Sequence, residues 1–274
     1  MSPARPRPGD ILAMELTASS ADAVVLTAFG RDVPMFKVAD RFRGLVAVPL
    51  HSPSADHPTV VRTTLSDGAQ YEFRCDAAKV VGREFRSDTL RVARRYAHGV
   101  GSDRSVSEKD EVSTMVAPLP LPLLSLTPFV WPKAGNINAT YGERRLFTQR
   151  LSSRHLGTDI SGVTGERVFA SQAGVVRLSA KVRASGETLV VDHGGGVLSH
   201  YLHLSKRLKY PGQRVRQGEV IGLVGQTGRV TGPHLHFAVS VHGRYVDPEQ
   251  VLAHDWTFAQ AQPCDAVELA TSAR

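Results

Sequence analysis

The sequence predicts an all-β fold in two parts. Short runs containing Val, Leu and Thr recur along most of its length and read as strands. Its 24 Gly and 16 Pro punctuate those runs at close intervals, as frequent turns require. No amphipathic helical period is convincing beyond two turns. At 274 residues the chain exceeds the usual size of one domain, so two are expected.

The first part spans residues 8–92. Candidate strands lie at 11–16, 23–29, 33–37, 42–48, 59–65, 70–74 and 80–85. Turn signals separate them at Phe29-Gly30-Arg31-Asp32, in the Pro-containing stretch from His51 to Asp56, and at Ser66-Asp67-Gly68. Seven short strands at this spacing predict an immunoglobulin-like β-sandwich. Nothing in it reads as catalytic, and His51 and His57 are expected at the surface of a loop.

Residues 93–130 change character. Ser107 to Glu111 is a polar start for a short helix, with Ser105 or Ser107 as its cap. Pro118, Pro120, Pro122 and Pro128 then interrupt a Leu-rich stretch. Prolines this dense exclude a helix or central strand and predict an extended linker on an apolar surface.

Strand signals return over residues 131–256, at 168–170, 174–178, 188–192, 197–202, 214–215, 220–224 and 236–241. Residues 257–274 read as a tail, loosely ordered beyond Trp256.

The formal charge of +7 suits an acidic partner. The basic residues are dispersed and no nucleic-acid motif accompanies them, so no nucleic-acid partner is expected. No stretch has the length and apolarity of a membrane helix. Cys75 and Cys264 form no C-x-x-C pair, which argues against a thiolate metal site. They either form one disulfide or are two separate thiols. The first residues lack the apolar run of a signal peptide, so an extracytoplasmic protein would have lost its export signal.

Five side chains suited to metal chemistry fall between residues 155 and 236. His155 and Asp159 flank Gly157, which disfavours a helix there. His234-Leu-His236 sits in an alternating run, so both imidazoles point to one side of a strand while Leu235 packs behind. His203 lies between, in Tyr201-Leu-His203-Leu-Ser205. Catalytic zinc takes three protein ligands of N or O type and keeps one position open for water. His200 is out of phase with His203 and is expected to face away. His98, His242 and His254 belong to no pattern.

These pieces carry a resemblance. His155-Leu-Gly-Thr-Asp159, Tyr201-Leu-His203-Leu-Ser205 and Gly232-Pro-His234-Leu-His236-Phe resemble the lysostaphin-like (LytM-type, M23) zinc metallopeptidases. So do Tyr141-Gly-Glu-Arg-Arg, Val191-Asp-His-Gly194 and Gly225-Gln-Thr-Gly228. The likeness spans about residues 131–252, and the preceding sandwich is similar to a module that accompanies some members. It implies an antiparallel β-sheet peptidase domain of lysostaphin type. It also implies one Zn2+ per chain held by His155, Asp159 and His236, with His203 and His234 catalytic.

The implied reaction is hydrolysis of peptide bonds in bacterial peptidoglycan, in stem cross-links or interpeptide bridges, by a zinc-activated water. The implied setting is periplasmic or secreted, with the chain acting as a monomer. His193 matches a structural turn of the family. A tyrosine that some members place just before the first ligand is absent between Phe147 and Arg154, leaving that role empty or open to Arg144, Arg145 or a more distant group. Competing readings are a noncatalytic wall-binding or amidase-regulating protein, and a general secreted protease for Gly-rich peptides.

Overall fold

The computed structural model describes residues 5–89, 112–148, 151–259, 261–263 and 267–268. The first part contributes β1 (Ile11–Thr17), β2 (Ala21–Ala28), β3 (Arg31–Val38), β4 (Arg41–Ala47), β5 (Asp56–Leu65) and β6 (Gln70–Lys79). The turns marked in the sequence join them. Between β2 and β3, Phe29 and Gly30 both take positive φ, 50° and 69°, which suits a two-residue hairpin loop. Between β5 and β6, Gly68 sits at φ 83° and Asp67 accepts a hydrogen bond from the Ala69 N–H.

The ladder runs β1-β4-β3-β2-β5-β6 as one continuous path. Strand β3 pairs with β2 through Arg31–Met35 and with β4 through Phe36–Val38, so it links the β1-β4 half to the β2-β5-β6 half. The stretch at 80–85 is not a strand. The Val80 N–H is shared between the Ala55 and Ala78 carbonyls, and the Val81 N–H donates to the Pro6 carbonyl.

The remaining elements follow in chain order. They are β7 (Ser87–Thr89), β8 (Ile137–Ala139), β9 (Arg144–Thr148), β10 (Leu151–Arg154), β11 (Thr158–Ser161) and β12 (Arg167–Phe169). Next come β13 (Gly174–Val182), β14 (Gly186–Asp192), β15 (Val197–Leu204), β16 (Lys206–Arg207), β17 (Arg214–Val215) and β18 (Val220–Leu223). Last are β19 (His234–Val241), β20 (Arg244–Val246), α1 (Pro248–Ala253), β21 (Gln262–Pro263) and β22 (Val267–Glu268). The principal sheet has the order β17-β13-β14-β15-β19-β11-β8 and is antiparallel throughout. Smaller sheets, β12-β18-β16 and β10-β9-β7, flank it. The helix proposed from Ser107 lies outside the described residues.

Strand β19 divides the sheet's two faces. Leu235, Phe237, Val239 and Val241 enter the main core with Tyr201, Ile221 and Val224. His234, His236, Ala238 and Ser240 take the other face, as a period of two requires.

The two parts of the chain also share that core. Strand β1 reads Ile-Leu-Ala-Met-Glu-Leu-Thr, the near-continuous apolar run of a strand covered on both faces. Ile11 and Ala13 join the main core, while Leu12, Met14 and Leu16 fill the core of the first part. Strand β4 does the same, with Leu45 and Ala47 on one side and Phe42, Val46 and Val48 on the other.

The proline-rich segment straps the principal sheet. The Leu119 N–H donates to Asp192, the Leu124 N–H to the His193 carbonyl, and Phe129 lies buried 4.6 Å from Trp256. Beyond Trp256 the chain is held more closely than the sequence suggests. Phe258 is buried under the Arg43 guanidinium, β21 pairs with β1, and β22 pairs with β6. Apolar Phe258 and the free edges of β1 and β6 supply the binding energy that the polar tail composition hides.

Because β1 and β4 serve both cores, Leu45→Ala should cost about 2–5 kcal/mol. In a urea titration, Trp fluorescence from the peptidase-like part and hydrogen exchange of β5 amides should shift together. Independent shifts would contradict the shared core.

Candidate metal centre

Strand pairing builds the centre. Asp159 on β11 lies directly opposite His236 on β19, and Ser161 opposite His234. Residues opposite each other in an antiparallel ladder project to the same face. His155 comes from the loop between β10 and β11. Its N–H donates to the Glu143 carbonyl, and its own carbonyl accepts from the Gly142 N–H. Gly157 lets this loop close down, since a Cβ there would sit 2.5 Å from the Phe237 carbonyl oxygen and 2.8 Å from His236 Nε2.

The three groups expected as ligands converge. His155 Nε2 lies 2.9 Å from Asp159 Oδ1 and 2.9 Å from His236 Nδ1, and His236 Nδ1 lies 2.8 Å from Asp159 Oδ1. They form the only cluster of this kind among the described residues. His155 Nδ1 is 2.9 Å from the Thr140 carbonyl, so Nδ1 carries the proton and Nε2 presents a bare lone pair. Burial pushes the His155 imidazole down to about 4, so it is neutral at neutral pH. Burial opposes ionisation of Asp159, but His155 and His236 outweigh it and hold the carboxyl well below its usual range. A bare imidazole nitrogen facing a carboxylate in a buried site is unfavourable without a cation between them. The donor set fits a divalent metal.

His203 and His234 flank this triangle without joining it. Their rings are 5.1 Å apart, and His203 is 5.9 Å from the His236 ring. Each is oriented by a backbone carbonyl. His203 Nδ1 donates to Thr227 and His234 Nδ1 to Gly232, both at 2.9 Å, leaving both Nε2 atoms bare. Burial, then the neighbouring imidazoles, push His203 down to about 3. All five side chains line one cleft of about 390 Å3, together with Glu143, Arg145 and Arg229.

The phase argument for the histidines on β15 works out differently from expectation. Leu202 faces His236 and His200 faces Ala238 across the ladder, so His200 shares the cleft side of the sheet. It lies further along, 3.0 Å from Ser240 Oγ and against the Tyr245 ring, and does not reach the cleft. His203 reaches it because its backbone turns into the left-handed region at φ 63°, which ends strict alternation.

The other histidines have structural surroundings. His193 bridges the Ala173 carbonyl and Ser199 Oγ in a buried network that includes Tyr201. His57 packs on Phe29 and His51 is exposed, both remote from the cleft. His98 lies outside the described residues. Arg145 closes the Tyr141-Gly-Glu-Arg-Arg piece, and its partnership with Asp159 is not visible in the sequence. It reaches across from β9 to ion-pair with Asp159 Oδ2 at 2.5 Å, steadying the oxygen that the triangle leaves free.

Comparison with known proteins agrees with this geometry. Residues 153–248 match the model of peptidase family M23. These residues form an M23 peptidase domain. The domain is 43% identical over 113 residues to the peptidoglycan DD-endopeptidase ShyA of Vibrio cholerae, covering 40% of this chain and 26% of ShyA. It is 38% identical over 130 residues to the DD-carboxypeptidase/endopeptidase Mpg of Neisseria meningitidis, covering 46% of this chain and 29% of Mpg. The chain thus spans about a quarter of the length of these curated relatives.

A solved Pseudomonas aeruginosa structure assigned to peptidase M23 superposes with a TM-score of 0.62 at 26% identity. That match covers 90% of this chain and 95% of the other, so the likeness of fold extends beyond the M23 domain into the first part.

Outside the metal triangle, burial pushes His193, His242 and His254 each down to about 4. Unfolded imidazoles titrate near 6.5, so between roughly pH 6.5 and 4 the unfolded chain binds more protons. Stability from these groups is full above about pH 6.5 and is lost as pH falls towards 4. Urea midpoints measured from pH 7.5 to 4 should fall across that window. His193→Gln should flatten part of the fall, and an unchanged slope would contradict the assignment.

Proposed function

We propose that the protein is a zinc-dependent endopeptidase that hydrolyses peptide bonds in bacterial peptidoglycan. The observation that carries the reading is the convergence of His155 Nε2, Asp159 Oδ1 and His236 Nδ1 beside two bare imidazoles in an open cleft. His155, Asp159 and His236 would hold one zinc ion per chain. Zinc in such a site supplies Lewis acidity and brings the pKa of a bound water to about 7.

The chain's own residues then manage the protons. The bare Nε2 atom of His203 or His234 accepts the proton that the attacking water gives up as its oxygen adds to the peptide carbonyl carbon. The imidazolium so formed donates a hydrogen bond to the developing oxyanion and returns the proton to the amine as the C–N bond breaks. The carbonyls of Thr227 and Gly232 keep both rings in the tautomer this needs. Arg145 holds Asp159 in one orientation throughout.

The named activities of ShyA and Mpg support a wall-peptide substrate. The disulfide at Cys75 supports work outside the reducing cytoplasm. No helix among the described residues is long and apolar enough to cross a membrane. The first part, residues 8–92, we read as a positioning module, since β7 beyond Phe85 pairs with β9 and brings Asp88 to the wall of the cleft.

Metal analysis of purified protein should find one zinc per chain, and cleavage of purified wall peptides, followed by mass spectrometry, should stop with a chelator. His203→Ala and His234→Ala should each lower kcat by about 100-fold or more with zinc retained. His236→Ala should lose the metal. Loss of zinc from either of the first two variants would overturn the division of roles.

A further inference from the structure

The proline-rich strap leaves apolar side chains uncovered at the end of the principal sheet remote from the metal centre. Leu121, Leu124, Leu126 and Val130 are 36%, 41%, 44% and 41% exposed, all within one short stretch of chain. Leu126 borders an apolar cavity of about 160 Å3 with Leu123, Phe36, Val38 and Phe258, so the patch continues onto the first part of the chain. Leu124 borders a second, open groove beside Arg214 and Arg216.

The backbone of this segment is ready to leave water. Pro118, Pro120, Pro122 and Pro128 carry no N–H. The N–H groups of Leu119, Leu124 and Val130 donate to Asp192 and to the His193 and Ser171 carbonyls, and the Leu121 carbonyl accepts from the Gly195 N–H. A lipid surface, unlike an aqueous groove, demands that backbone groups be satisfied internally. The charge nearby is positive. Glu219 also lines the open groove but is engaged by the Lys209 ammonium, and Asp192 by Arg177. On the side of Val38, Asp40 faces Arg41, and Glu15 is shared by Arg41 and Arg43. Arg214 and Arg216 are exposed and belong to no ion pair among the described residues.

We propose that the strap face docks on an anionic phospholipid bilayer. Leu121, Leu124 and Leu126 enter the boundary of the acyl chains, and Arg214 and Arg216 meet the headgroups. Strand β15 sets the orientation. The turn before it, at Gly194 and Gly195, lies under Pro122 and Leu123 of the strap. His203 stands near the other end of β15, about 20 Å on from Val197 at roughly 3.3 Å per residue. The docked chain therefore holds its metal cleft away from the lipid. A few leucines and two guanidinium groups make a reversible contact, not an anchor. The contact involves no catalytic group and stands whether or not the peptidase reading holds.

The test sediments the zinc-loaded chain with vesicles of phosphatidylcholine alone or mixed with phosphatidylglycerol. The mixed vesicles should bind it at least about tenfold more tightly, and less so as salt is raised. Leu124→Ser with Leu126→Ser, and separately Arg214→Gln with Arg216→Gln, should each weaken that binding about tenfold. All four side chains are exposed, so both variants should keep the melting temperature of the unmodified chain. Leu126→Trp adds a reporter, and brominated acyl chains should quench its fluorescence more than that of Trp131 and Trp256 in the unmodified chain. Equal binding to both kinds of vesicle, binding to neither, an unquenched reporter, or affinity that survives both pairs of changes would overturn the proposal. So would a patch that covers itself, seen as dimers in sedimentation velocity that the leucine changes dissolve.

Discussion

The pairing of Asp159 with His236 across β11 and β19 is the constraint on which the centre depends. It sets a carboxylate and an imidazole side by side on one face of a sheet whose opposite face is the main core. The His155 loop then closes over them, because Gly157 lets its backbone approach β19. The result is a buried meeting of lone pairs, with the His155 ring proton committed to the Thr140 carbonyl. Such an arrangement is costly by itself, and a divalent cation turns the cost into affinity. The ladder beneath can hold this arrangement because Leu235 and Phe237 are anchored in the core directly behind it.

Much of this was legible in the sequence, for identifiable reasons. His234-Leu-His236 alternates within an apolar run, and a period of two brings both rings to one side of a strand. Gly157 marked a close approach, and the strands of the principal sheet showed as Val- and Leu-rich runs between glycines. The short strands β8 to β11 did not show, since Arg144–Thr148 and Leu151–Arg154 are largely polar and owe their conformation to pairing with each other and with the distant β7. Arg145 was therefore visible in the Tyr141-Gly-Glu-Arg-Arg motif and as an alternative to a missing tyrosine, but not as the partner of Asp159. His203 and His200 show a sharper limit. Their phase was inferred from unbroken alternation, and one left-handed residue at His203 reverses the inference.

The N-terminal part bears on the site through packing. Expected as a module joined by a linker, it gives the inner faces of β1 and β4 to the peptidase core. It also sends β7 to pair with β9, the strand that carries Arg145. The wall of the cleft is thus partly made by the segment that follows this module. The Arg83 guanidinium adds an ion pair to Asp247, the cap of α1, at 2.5 Å. The composition of the tail suggested loose order, yet Phe258 and the pairing of β21 and β22 fasten it across the first six strands.

The central claim is that three side chains hold the metal and two adjacent imidazoles do not. Zinc-edge X-ray absorption on the purified zinc-loaded protein, with His203→Ala and His234→Ala measured alongside, tests it most directly. The account predicts a mixed nitrogen and oxygen coordination shell with two imidazoles, unchanged in both variants. A third imidazole in that shell, lost on either substitution, would contradict it.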